Sequence, residues 1–212
     1  MSTIVKRGHQ GREDHRRGQA LVEFALVVPI LLVIVVTVAE LGLIYGKLST
    51  LGYGSREGAR AGSALAQGYP EDCADNPSNT KVDAVLVSAV QRILTSPDSG
   101  IDLNKVQEIR IFRATPSGTE TLGYVNIWRP GPNGPDVDPG PGTVRIAFQP
   151  ETVTWNACSR SNSGMNPDSI GVTVKYTYDF VTPLPTVINA IAGGSLSLTL
   201  SETTVMALNP TT

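Results

Sequence analysis

The sequence holds only two histidines, His9 and His15, and only two cysteines, Cys73 and Cys158. With no histidine after position 15, the rest of the chain cannot build a Ser-His-Asp triad, a Cys-His pair or a histidine-based metal site. A Walker loop is missing, as is a G-x-G-x-x-G run behind a strand pattern, so the common phosphate-cradling devices are excluded. Glu108, Glu120, Glu151 and Asp168 are scattered, and nothing in their spacing gathers two carboxylates into one cleft. Asp136 and Asp138 lack the regular ligand spacing of a calcium loop. These absences argue against an enzyme, a metal centre and a cofactor.

Charge is scarce in one place above all. From Phe24 to Gly46 the only charged side chain is Glu40. As a helix those residues would rise about 34 Å, enough for a hydrocarbon core of roughly 30 Å. A secretory signal has a shorter apolar core and a small-residue cleavage site, whereas here a helical pattern continues past the run. Lys6, Arg7, Arg12, Arg16 and Arg17 against Glu13 and Asp14 give residues 1–18 a charge of +3, leaving −5 for the remainder. Basic residues beside a first membrane segment favour the cytoplasm, which places the N-terminus inside and the bulk of the chain outside. That position explains the basic cluster better than a nucleic-acid arm would, and no other charge bias calls for nucleic acid. Both cysteines then lie in an exoplasmic compartment. Two thiols there are expected to pair, Cys73 with Cys158, the alternative being two separate buried thiols.

From Tyr45 to Gln67 proline is absent, and Leu48, Leu51, Ala59, Gly62 and Leu65 recur at helical steps. The pattern predicts one helix from about Leu21 to Ala66, with Pro29 disturbing its membrane half. Gly42 and Gly46 form one G-x-x-x-G pair, and Gly54, Gly58 and Gly62 form a consecutive double, a spacing that lets helix backbones approach closely. Gly68-Tyr69-Pro70 breaks the pattern. A second helix is predicted over Thr80–Thr95, with Val82, Val85, Leu86, Ala89, Val90, Ile93 and Leu94 on one stripe and Thr80 with Asp83 resembling a capping box. Period-two alternation follows around Ile109–Phe112, Val172–Phe180 and Leu196–Leu200, with weaker segments at Tyr124–Trp128 and Val144–Phe148. The Pro/Gly run from Arg129 to Gly142 reads as a long loop. The expected fold is α+β: a long N-terminal transmembrane helix, then an extracytoplasmic head with one amphipathic helix and an antiparallel β-sheet.

The junction Arg16-Arg17-Gly18-Gln19-Ala20-Leu21-Val22-Glu23-Phe24 carries the functional signal. An acid at the start of a membrane helix is costly unless partnered, so Glu23 is a functional candidate by default, against the plainer reading of an acid snorkelling at the interface. A cut after Gly18 would leave the new amine of Gln19 about one helical turn from Glu23, where the two charges could neutralise each other.

Together with Ala39-Glu40-Leu41-Gly42 and Ser55-Arg56-Glu57-Gly58-Ala59-Arg60, this junction resembles the TadE-like proteins of bacterial tight-adherence pilus systems. The resemblance covers roughly residues 16–62. It implies a minor pilin or pseudopilin whose leader is removed by a prepilin peptidase, with Gly18 the last leader residue, Gln19 the mature N-terminus and Glu23 the recognition and assembly carboxylate. Processed members often carry Glu-Tyr where this chain has Glu23-Phe24. Glu40 matches a second acid usual in the family, and Arg56, Glu57 and Arg60 match the end of its block.

The resulting organisation is a basic cytoplasmic leader over 1–18, a long helix over 19–66 with its span at about 24–46, and a pilin-like head over 67–212. Expected partners are the prepilin peptidase, other pilins or pilus-assembly membrane proteins, and the lipid bilayer. The expected location is the bacterial cytoplasmic membrane, with passage into a surface pilus. Glu40, Gly42, Gly46, Gly54, Gly58 and Gly62 are the expected assembly face of the helix. The competing reading is an uncleaved, single-pass surface protein with a partner-binding head.

Overall fold

A computed structural model of the chain describes residues 11–65, 73, 80–138, 142–163, 166–183, 185–186, 189–190, 193 and 197–209. The first ten leader residues, Ala66, the Gly68-Tyr69-Pro70 break and Leu196 lie outside the described residues. The chain divides into two compact units: Met1–Leu43 with Phe180–Gly194, and Ile44–Asp179 with Ser195–Thr212. The unit boundary falls within the long helix rather than near residue 67, so the glycine-rich second half of that helix belongs to the head.

The long helix, α1, runs Gly11–Leu65 and continues through Pro29. It begins ten residues before the expected start at Leu21. In the first unit its apolar side chains have little cover: Phe24 is 67% exposed, Leu31 57% and Val38 63%. The segment Gly18–Leu65 is long and apolar enough to cross a membrane.

In the second unit, helix α2 spans Lys81–Leu94 and buries Ala84, Leu86, Val87, Val90 and Leu94. Full burial of each large aliphatic side chain contributes roughly 1.5–3 kcal/mol. The expected capping box does not form. Thr80 is the N-cap residue but makes no side-chain cap bond, and Asp83 is buried in the stripe. Its carboxylate instead accepts from Asn126 Nδ2 at 2.5 Å and from Arg160 Nη2 at 2.6 Å. A buried acid needs such partners, and they outcompete a local cap open to water.

Seven strands follow among the described residues: β1 (Val106–Ala114), β2 (Glu120–Pro130), β3 (Asp136–Val137), β4 (Val144–Arg145), β5 (Phe148–Val153), β6 (Ser169–Tyr178) and β7 (Leu198–Ala207). Five of them form a sheet in the order β5-β2-β1-β6-β7, and each neighbouring pair is antiparallel. Strands β3 and β4 pair separately, with Val137 opposite Val144. The Val144–Phe148 segment is thus two strands rather than one, parted at the buried Ile146. Inside the Pro/Gly loop, Asp136 faces Arg145 across that small ribbon at 3.6 Å. Ile109 sits opposite both Trp128 and Val174, and Ile111 opposite both Asn126 and Val172, so these residues share one face. All six are buried, and Asn126 joins them because Asp83 and the Trp155 carbonyl accept from its amide.

Cys73 and Cys158 are joined by a disulfide. It closes a loop of 85 residues. On the chain-entropy account such a cross-link restricts the unfolded head by about 4–5 kcal/mol, an upper value. Next to it in sequence, Arg160 is fully buried, and its guanidinium lies 4.5 Å from the Trp155 ring centroid.

Candidate processing junction and assembly face

Gly18, Gln19, Glu23 and Phe24 all lie within α1 and are exposed. The side chain of Gln19 donates to Glu23 Oε1 at 3.0 Å, one turn along the helix. The carboxylate therefore already has a partner on the residue that a cut after Gly18 would make the N-terminus. A methyl group added at Gly18 would meet nothing within 4 Å.

Glu40 behaves differently. It is 2% exposed although it sits on the apolar part of α1. The backbone N–H of Val181 donates to its Oε1 at 3.1 Å and that of Thr182 to its Oε2 at 3.0 Å. Two successive amides thus divide between the two oxygens, a concave anion seat built from backbone. These partners stand 141 and 142 residues away, so no local pattern around Glu40 could have announced them.

The glycines of α1 fall into two sets. A methyl group at Gly42 or Gly46 would meet nothing within 4 Å. At Gly58 it would lie 2.6 Å from Val90 Cγ2, and at Gly62 it would lie 2.7 Å from both Ile170 Cδ1 and Leu86 Cδ1. At Gly54 the nearest atom is Leu94 Cδ2 at 3.4 Å. Gly54, Gly58 and Gly62 are therefore packed against α2 and β6 of their own chain, which corrects their expected place on an assembly face. The close-approach spacing is real, but its partner is intramolecular. Ser55 and Ser63 complete that contact: Ser55 Oγ lies 2.8 Å from Thr204 Oγ1, and Ser63 Oγ donates to the Ala207 carbonyl at 2.7 Å.

The polar side of the same stretch is tied down as well. Glu57 accepts from Arg60 at 2.9 and 3.0 Å and from Arg92 on α2 at 2.8 Å. The hydrogen bond from Arg60 leads in holding the Glu57 carboxyl below its ordinary value of 4.5; partial burial opposes it, and the charges of Arg60 and Arg92 assist. On the sheet, burial alone would raise Glu108, but Lys175 and Arg110 together outweigh it and leave its pKa lowered. Among the described residues no group of three His, Cys, Asp or Glu side chains gathers where it could hold a metal ion.

Residues 18–60 match the family model described as TadE-like protein, a stretch that takes in the junction from Gly18 onward, Glu40 and the Glu57–Arg60 block. No curated protein and no solved structure matches the chain.

Proposed function

We propose that this TadE-like chain is a minor pilin or pseudopilin of a tight-adherence pilus system, cut after Gly18 by a prepilin peptidase. Its role is structural rather than catalytic, in pilus assembly or adhesion. The observation that carries this reading is the coincidence of one family match, residues 18–60, with a helix whose first matched residue is the glycine of the junction. The match does not merely mark an apolar helix. It begins at Gly18, takes in Glu23 and Glu40, and ends at Arg60.

The physical role of each junction residue follows. Gly18 offers a backbone without a Cβ, which a peptidase can draw into an extended form at little steric cost. Cleavage would free an α-ammonium group on Gln19 about one turn from Glu23, adding an ion pair to the side-chain hydrogen bond already made there. Such a pair lowers the cost of holding the acid against lipid or a neighbouring helix. With Gly54, Gly58 and Gly62 occupied by the head, the stretch through Gly42 and Gly46 is the part of α1 left for helix–helix contacts in an assembly.

One observation favours an uncleaved, membrane-anchored surface protein: α1 begins at Gly11, so the bond after Gly18 lies within helix and must unwind before it can be cut. Intact mass and N-terminal sequencing of the protein from native membranes, with and without prepilin peptidase, separate the two. The expected mature chain begins at Gln19 and disappears when the peptidase is absent or Gly18 is replaced. An unaltered Met1 leader under both conditions would leave the anchored reading.

A further inference from the structure

The five-stranded sheet ends in two edges, β5 and β7, and the sequence treats them differently. Strand β5 carries Pro150 midway along its length and a register break against β2. The Gly131 N–H donates to the Ala147 carbonyl just before β5. By alternation Phe148 and Pro150 then turn outward, and Pro150 leaves a gap in the outer row of donors. A proline and a bulge are established ways of blunting an edge against further pairing.

Strand β7 has neither. Its ten pairings with β6 run without a register shift, and it contains no proline. Three bonds at its C-terminal end fix which way its main chain faces. The Leu208 N–H donates to the Asp168 carbonyl on the β6 side. The Ala207 carbonyl instead accepts from Ser63 Oγ of α1, and the Asn209 N–H donates to the Ser63 carbonyl. Even-numbered residues therefore bond to β6, and odd-numbered residues turn their N–H and C=O groups outward. Ser63 occupies that outer row only at 207 and 209. Thr199, Ser201, Thr203 and Val205 are exposed, and among the described residues nothing bonds to their main-chain groups.

Alternating outward donors and acceptors over this length are matched in full by another extended chain. Glu202, in the middle of the open stretch, adds a charge requirement. It is half-buried and makes no ion pair among the described residues. Arg56 borders the same groove but does not pair with it.

We infer that the β7 edge is a docking site for an extended segment of a different protein, which adds a strand along Thr199–Val205 and sets a lysine or arginine against Glu202. A second copy does not fit. Another β7 brings no base and a second Glu202, while β5 lacks the donor at Pro150 and brings the acid Glu151. The site goes beyond the pilin reading and does not depend on cleavage after Gly18.

The test is amide hydrogen exchange, resolved to single residues by mass spectrometry, on the full-length, disulfide-intact protein in detergent. The probe is a capped peptide of alternating threonine and valine with one central lysine, at millimolar concentration. Slowed exchange at Ser201, Thr203 and Val205 is expected, with no change at Glu202 and Thr204, whose N–H groups already bond to β6. Ser201→Pro removes an outward donor and should abolish the effect while leaving the unfolding midpoint near its original value. A backbone N-methylated probe tests the same point without altering the protein, and it should not protect. Glu202→Gln should weaken the lysine probe several-fold and leave a glutamine-centred probe unaffected. No protection by the lysine probe would overturn the inference, as would equal protection by a glutamate-centred one. Slow exchange at the odd-numbered amides without any probe would overturn it too: concentration-dependent slowing would mean a second copy, and concentration-independent slowing would mean cover by the chain itself.

Discussion

The two stretches of α1 share a spacing and differ in everything that spacing is for. Around Gly42 and Gly46 the helix surface is apolar and open, and a methyl group at either glycine meets no neighbour within 4 Å. Around Gly54, Gly58 and Gly62 the backbone is pressed against Val90, Leu86 and Ile170 of the same chain. G-x-x-x-G reports that something comes close. It does not say whether that something is another subunit or the chain's own head. The acids divide the same way: Glu23 is exposed beside Gln19, whereas Glu57 reaches across to Arg92 on α2.

The contrast can be broken most forcefully at the packed glycines. Gly62→Leu drives a branched side chain into space already held by Ile170 Cδ1 and Leu86 Cδ1, each 2.7 Å from the first added carbon. Overpacking of this kind costs about 1–3 kcal/mol, with the branched group placing this site at the upper end. Thermal unfolding of the full chain in detergent, followed by near-ultraviolet circular dichroism of Trp128 and Trp155, should show a clear fall in midpoint. An unchanged midpoint would mean that the glycine face is open in solution, and the assembly role first expected for it would return.

How much of this could be read in advance follows from how local each cause is. The apolar run, the α2 stripe and the alternation in β1 and β6 come from periodicity, and periodicity is set by neighbouring residues. The Gln19–Glu23 hydrogen bond is local in the same way, joining two residues about one turn of helix apart. What escaped were choices between partners. Asp83 sits where a capping acid would sit, but Asn126 and Arg160 reach it from 43 and 77 residues away. Glu40 matched a family position with no derivable role until the β6–β7 connection supplied two amides. Gly54, Gly58 and Gly62 gave the correct geometry and the wrong partner. Strand β7 was seen only at its first residues, because its apolar alternation fades into Glu202-Thr203-Thr204, held by ten pairings with β6.

A gentler test uses acid, to which the packed stretch is sensitive through Glu57. Glu57 and Glu108 both titrate below the ordinary 4.5 in the folded chain. The stability they lend is therefore complete above 4.5 and is lost as pH falls through their folded values. Urea unfolding of the full chain should show a midpoint nearly independent of these two groups between pH 7 and 5, then a graded fall below. Glu57→Gln should shrink that fall and lower the midpoint at neutral pH. A midpoint that rises on acidification would contradict the ion-pair account of both sites.

The smallest effect on folding is expected where the largest effect on assembly is. Gly42→Ala and Gly46→Ala place a methyl group on an open helix surface, and a change within about 0.5 kcal/mol in head stability is expected. If this stretch is where helices of an assembly meet, the same methyl groups stand between two backbones that must approach closely. Incorporation of the protein into sheared filaments should then fall for Gly46→Leu, and less for Gly46→Ala, with unfolding midpoints unchanged in both. Equal incorporation of all three proteins would leave Gly42 and Gly46 as lipid-facing residues and move the assembly surface elsewhere. Loss of incorporation at Gly46 with an intact head would separate, within one helix, a glycine pair used between chains from a glycine triplet used inside one.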